Sequence, residues 1–168
     1  MRFMRFFVKA GLFILMLCYL FVLSRLVLFK FLGIQDIISH FTFSYEGSYW
    51  TPNFIPFKTI IYYLFLADIN FNIRVENLGG NIVGFSPFGF ILPLLSKRFQ
   101  SFKRVVIATF CLSLTFEIIQ LVFKFGSFDV DDLILNTLGG MLGILPVYLV
   151  SLYINYKKRQ PNITSKNY

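Results

Sequence analysis

Glu117 lies inside an apolar run from Val105 to Phe123, where burying a carboxyl group is costly and the residue becomes a first candidate for function. Ser113, Glu117, Gln120 and Lys124 follow one another at spacings of four, three and four, so a helix presents them on one face. The neighbouring runs repeat the pattern. Asn77, Asn81 and Gly84 are spaced by four and three, as are Asp132, Asn136 and Gly139, with Gly143 four further on. Packing the three stripes together brings Asn81, Glu117, Gln120 and Asn136 into a shared polar pocket. The segment Phe128 to Asn136, FDVDDLILN, adds Asp129, Asp131 and Asp132 at its mouth. Those acids have two readings. Asp129 can serve as a helix N-cap, with Asp132 three residues on completing a capping box and the acids suiting the positive end of the helix dipole. Alternatively, with Glu117 they supply hard oxygen ligands to a cation such as Ca²⁺ or Mg²⁺, or to a cationic substrate group. The spacing gives no ligand count, so no metal or cofactor is assigned. Glu117 itself is either the candidate catalytic residue, as general acid or base, or a structural carboxyl. In the second case it is ion-paired with Lys58, Arg74 or Lys124 or held by Asn side chains.

These residues need helices to position them, and the composition says in which solvent. Hydrophobic residues make up 57% of the 168, aromatics 20% and charged residues only 14%, which leaves too little polar material for a water-facing surface. Apolar runs near the ~20 residues of a bilayer span recur instead. Spans are expected at about residues 8–29, 78–95, 105–123 and 133–154. The first run exceeds a signal-peptide core and lacks a small-residue cleavage site, so it reads as an uncleaved anchoring helix. The second contains Gly79, Gly80, Gly84, Pro87, Gly89 and Pro93, tolerable only if neighbouring helices re-satisfy its backbone. Gly80 with Gly84, and Gly139 with Gly143, form small-xxx-small pairs that permit close helix packing. Cys18 and Cys111 sit inside apolar runs and read as packing residues.

Net charge of +8 is first a question of sidedness. Arg2, Arg5 and Lys9, then Lys97, Arg98, Lys103 and Arg104, then Lys157, Lys158, Arg159 and Lys166 form three acid-free basic segments. Four spans with both termini in the cytoplasm place all three inside. The expected fold is therefore an all-α membrane protein, a four-helix transmembrane bundle in one domain over 1–168, with a cytoplasmic tail at 155–168. The stretch Phe54 to Ala67 is too short to cross and carries Pro56 and Lys58, so it reads as an interfacial or re-entrant helix within an extracytoplasmic region at 30–77. That region also holds His40, Tyr45, Tyr49 and Trp50. Nucleic acid is not an expected partner; membrane lipids are. No P-loop, GxSxG, CxxC or HExxH pattern occurs.

Four segments, NFIPFKTI from Asn53, ENLGGNIVGFSPFGFILPLL from Glu76, SLTFEIIQ from Ser113 and FDVDDLILNTLGGMLG from Phe128, together resemble the VanZ-like family over about residues 50–150. The resemblance implies a small bacterial cell-envelope membrane protein of a family named after a teicoplanin-resistance accessory protein. It points to Asn53, Pro56, Phe57, Asn81, Pro87, Gly89, Glu117, Gln120, Asp129, Asp132, Asn136, Gly139 and Gly140. Basic residues often accompany the first and last of these segments. Here Trp50 and Thr51, and Gly126 and Ser127, stand there instead, so any counter-ion role falls to Lys58, Arg74 or Lys124.

The preferred functional expectation is a non-transporting protein of the bacterial cell membrane. Its outward pocket, formed by Asn53, Lys58, Asn81, Glu117, Gln120, Asp129, Asp132 and Asn136, engages a cell-wall precursor, lipid headgroup or glycopeptide and so modulates glycopeptide susceptibility. The alternative is a membrane enzyme acting on an extracytoplasmic lipid-linked substrate. A small transporter ranks lower, because four helices show no inverted repeat, although a homodimer would supply a second half.

Overall fold

Apolar segments in lipid must satisfy their backbone groups internally, which selects helices. The computed structural model describes residues 2–28, 51–124 and 126–159, and its architecture is of that kind. Helix α1 spans Arg2–Leu28, α2 Lys58–Ile61, α3 Phe71–Arg74, α4 Gly80–Leu95, α5 Phe102–Phe123 and α6 Val130–Arg159. π-helical turns continue α2 through Tyr62–Leu66 and join α3 to α4 through Val75–Gly79, so Phe71–Leu95 forms one rod. Among the described residues, four helices are long and apolar enough to cross a membrane: Phe6–Leu28, Phe71–Leu95, Phe102–Phe123 and Val130–Arg159. The chain is an all-α membrane protein. The second rod begins ahead of the expected Leu78, taking in Asn72, Arg74 and Glu76. His40, Tyr45, Tyr49 and Trp50 lie outside the described residues.

The helices run alternately up and down, so the bundle has a basic end, with Lys97 to Arg104 and Lys157 to Arg159, and an acidic end, where α6 begins. At the basic end, Arg104 donates to the Arg98 carbonyl at 2.7 Å and closes the short turn between α4 and α5. At the acidic end, α5 stops with Lys124 in the left-handed region, φ 55°. The short helix α2 and its π turn lie there too, with Phe54, Ile55, Phe65 and Leu66 exposed.

Helices α4 and α6 approach until backbone meets backbone. A Cβ added at Gly139 would overlap the Ile82 carbonyl, one at Gly143 the Ser86 carbonyl, and one at Gly89 the Gly140 carbonyl. Gly140 in turn accommodates the side chain of Thr109 on α5. Gly80 and Gly84 differ from the small-xxx-small expectation. A Cβ at Gly80 meets nothing within 4 Å, and one at Gly84 makes ordinary contact, 3.6 Å, with Leu23 of α1. Both lie off the face of α4 that carries Ile82, Ser86 and Gly89 toward α6.

Helix α1 is the loosely attached member. Met16 packs with Phe88 and Ile91, and Leu23 with Phe85 and Phe116, whose rings meet edge to face. Tyr19 donates its hydroxyl to the Gly84 carbonyl at 2.7 Å, a polar tie across an otherwise apolar contact. Within α4 and α5, Ser86 and Thr109 return their hydroxyls to the carbonyls of Ile82 and Val105.

Because the α4–α6 contact is backbone on backbone, no side chain can move aside to relieve an added group. Gly143→Val is expected to lower thermal stability in detergent or bilayer discs by an amount at or above the ~1 to 3 kcal/mol typical of overpacking. Gly80→Ala is expected to leave the melting temperature unchanged or slightly raised. Equal melting curves for the two variants would contradict the packing described.

Candidate functional site

The acidic end is organised by two short segments that sequence places far apart. Asn53 pairs in parallel with Asp129, its N–H donating to the Phe128 carbonyl at 2.8 Å and its carbonyl accepting from Val130 at 3.0 Å. The rings of Phe54 and Phe128 stack across this bridge, 5.0 Å apart. The Asn53 amide nitrogen donates to Asp129 Oδ1 (2.9 Å) and to Thr59 Oγ1 (3.0 Å), and its amide oxygen accepts from the Ile55 N–H. Thr59 completes the ring by donating to Asp129 Oδ2 at 2.6 Å.

Asp131 is wholly buried. Its Oδ1 accepts from the Phe57 N–H, and its Oδ2 from the N–H groups of Thr59 (2.7 Å) and Ile60 (3.0 Å). These are the donors that the first turn of α2 leaves without intrahelical partners, so a carboxylate from α6 caps a helix more than seventy residues earlier in the chain. Meeting it holds Phe57 at φ 66°, a left-handed conformation that costs a bulky residue of order 1–3 kcal/mol.

Glu117 belongs to the same framework. It is buried, and its Oε2 accepts the Asp129 N–H at 2.8 Å. Asp129 caps α6 through the Asp131 N–H at 2.8 Å, as expected of an N-cap. The reciprocal half of the capping box comes from elsewhere. Asp132 turns away to accept from Asn81, and Glu117 of α5 takes the Asp129 N–H in its stead. Glu117 is not among the cavity-lining residues described below. The basic residues weighed as its counter-ions are placed otherwise. Arg74 donates to the carbonyls of Leu64 and Ala67 and closes the end of the α2 π turn, and Lys58 is exposed outside the cavity. The side chain of Lys124 is exposed as well.

Behind this clamp, a cavity of about 360 Å³ opens between α1, α4, α5 and α6. Its polar wall carries Asn81, Asp132, Gln120, Asn136, Asp129 and Glu76, and its apolar wall Leu23, Leu26, Val27, Leu78 and Phe85. Gly80 and Gly84 line it as well. Asn81 donates to Asp132 Oδ1, which joins α4 to the first turn of α6. Asn136 donates to Ser113 Oγ at 2.8 Å, joining α6 to α5. Gln120 donates to the Val27 carbonyl at 3.0 Å, joining α5 to α1, and Gly126 leaves room beside its amide. Asn53 and Lys58 do not reach this cavity. Thr59, Tyr63, Ser127 and the α1 wall do, and the sequence had not placed them in the pocket. For Thr59 the signal was its place in the NFIPFKTI segment. For α1 it was Tyr19, a hydroxyl in a span that needs a partner.

A model of the family described as VanZ/LLP1 matches residues 12–151. The chain belongs to the VanZ/LLP1 family. It is 34% identical over 144 residues to Protein VanZ of Enterococcus faecium, a match covering 86% of this chain and 78% of that protein. The family match starts within α1, so both walls of the cavity fall inside it. No solved structure matches the chain.

The framework and the cavity make different demands on their carboxylates. Glu117→Gln keeps an acceptor for the Asp129 N–H and is expected to hold near-native stability. Glu117→Leu strands that N–H and is expected to cost about 1–3 kcal/mol. Asp131→Ala strands three donors and should be the more damaging change, read as loss of folded protein in thermal or denaturant melts. Tolerance of Asp131→Ala would contradict the capping role.

Proposed function

We propose that this protein is a multi-pass bacterial envelope protein of the VanZ type that modulates glycopeptide susceptibility. In this reading the cavity faces the extracytoplasmic side and engages a cell-wall precursor, a lipid headgroup or the glycopeptide itself. Family membership supports the envelope role, the family being named after a teicoplanin-resistance accessory protein. The observation that carries the site is a cavity with three carboxylates, Glu76, Asp129 and Asp132, at the end of the bundle opposite the basic flanks. Basic flanks mark the cytoplasmic side, so the termini are inside and the cavity opens where envelope precursors and antibiotic meet the membrane.

Asn81, Asp132, Gln120 and Asn136 then contact the ligand, whereas Glu117 and Asp131 have a supporting rather than chemical role. In a deletion strain complemented at equal membrane levels, Asn81→Leu and Asp132→Asn are expected to return the inhibitory glycopeptide concentration to that of the deletion strain. Glu117→Gln is expected to preserve the wild-type value. Full activity of both cavity variants would overturn the proposal. Orientation has its own test. With Cys18 and Cys111 replaced, a cysteine at Lys124 should react with an impermeant maleimide in intact cells and one at Lys103 only after lysis. The reverse result would invert the topology.

A further inference from the structure

Two cavity side chains carry buried polar atoms without a partner: Gln120 Oε1 and Asn136 Oδ1. Both residues are more than nine-tenths buried, at 7% and 2% exposure. Gln120 has no freedom to exchange its two ends. The Val27 carbonyl only accepts, so the amide must present its nitrogen there and turn its oxygen away. Unmet acceptors of this kind cost free energy in an apolar setting unless something donates to them. Each is satisfied by a single N–H or O–H donor, from water or from a bound group.

Charge narrows the class. In a chain of net charge +8, the described cavity lining contains Glu76, Asp129 and Asp132 and no lysine, arginine or histidine. The described residues hold no cluster of three His, Cys, Asp or Glu side chains placed for a metal ion. The same cavity is also lined by Leu23, Leu26, Val27, Leu78 and Phe85, which suit hydrocarbon rather than a hydrated inorganic cation.

We infer that the cavity binds the primary ammonium group of an amphiphile, with Gln120 and Asn136 accepting its N–H donors, Asp132 contributing negative charge, and the α1 wall covering the adjoining apolar portion. The inference rests on the reading that this cavity is the working site, and it names the ligand chemistry. An ammonium has three donors, enough for both amides and a carboxylate. A trimethylammonium group has the same charge and no N–H, so it leaves both amide oxygens unmet.

That contrast supplies the test. The full chain is released from bilayer discs containing equal phosphatidylethanolamine and phosphatidylcholine, and the retained lipid is weighed by native mass spectrometry. The wild type is expected to retain the ethanolamine lipid with at least about tenfold preference, the value of a single hydrogen bond to a charged group at the low end of its range. Gln120→Leu and Asn136→Leu are each expected to reduce that preference severalfold. Equal retention of the two lipids by the wild type, a comparison that needs no variant to fold, overturns the inference. Displacement of the bound lipid by a glycopeptide bearing a free amine assigns the site to the soluble amphiphile, and its retention assigns it to the membrane lipid; either supports ammonium recognition. If the wild type shows no preference while Asp132→Asn still abolishes the susceptibility effect, the amine inference fails and the envelope reading stands. If the wild type shows a clear preference while every cavity variant leaves susceptibility unchanged, ammonium recognition stands and the envelope reading fails.

Discussion

A carboxylate buried with no basic partner among the described residues has to be compensated by hydrogen bonds, and at Asp131 three backbone N–H groups supply them. Much of the acidic end depends on that arrangement. It fixes the start of α2 against the start of α6, forces the left-handed turn at Phe57, and brings Asn53 and Thr59 within reach of Asp129. It also removes the need for a lysine or arginine at this point. Lys58 can stay exposed and Arg74 can serve the far end of the same short helix, because the peptide groups between them have already met the negative charge.

The cavity follows from a second constraint, the contact of α4 with α6. Asp132, Asn136, Gly139 and Gly143 share one face of α6, and the glycines draw α4 in until Ile82 and Ser86 touch backbone. Toward the acidic end the same face carries Asp132, which meets α4 through the side chain of Asn81 rather than backbone to backbone, and Asn136, which bonds Ser113 of α5. A bundle tight at its middle and joined through side chains at one end encloses a cavity, and α1 closes its remaining side. A helix that composition alone presents as an anchor thus supplies one wall of the site, tied to it through Tyr19 and Val27.

Periodicity made the helices and their polar faces readable. Ser113, Glu117 and Gln120 share a face because residues three and four apart must do so, and that face does turn toward α6. Asp129 was recognisable as a cap from its position before an apolar run. Partner choice was not readable. Which acid answers the Asp129 N–H depends on how α5 is rotated against α6, and no local spacing encodes it. Lys58 looked like a counter-ion because charge suggested one, whereas backbone donors are silent in a sequence. The α1 wall was hidden for a similar reason: Leu23, Leu26 and Val27 are indistinguishable by type from residues that face lipid.

The bond between Asp131 and the turn at Phe57 to Ile60 also bears on how the protein is made. The early segment emerges from the ribosome long before the residue that completes it, since the partners are seventy-four positions apart for Phe57. Until α6 is synthesised, three amide groups and the side chains of Asn53 and Thr59 lack the acceptors they have in the finished molecule, and they cannot rest unsatisfied in hydrocarbon. The segment must therefore wait in contact with water or headgroups while the later helices are inserted. The seat of that early segment is complete only once the last span has been made.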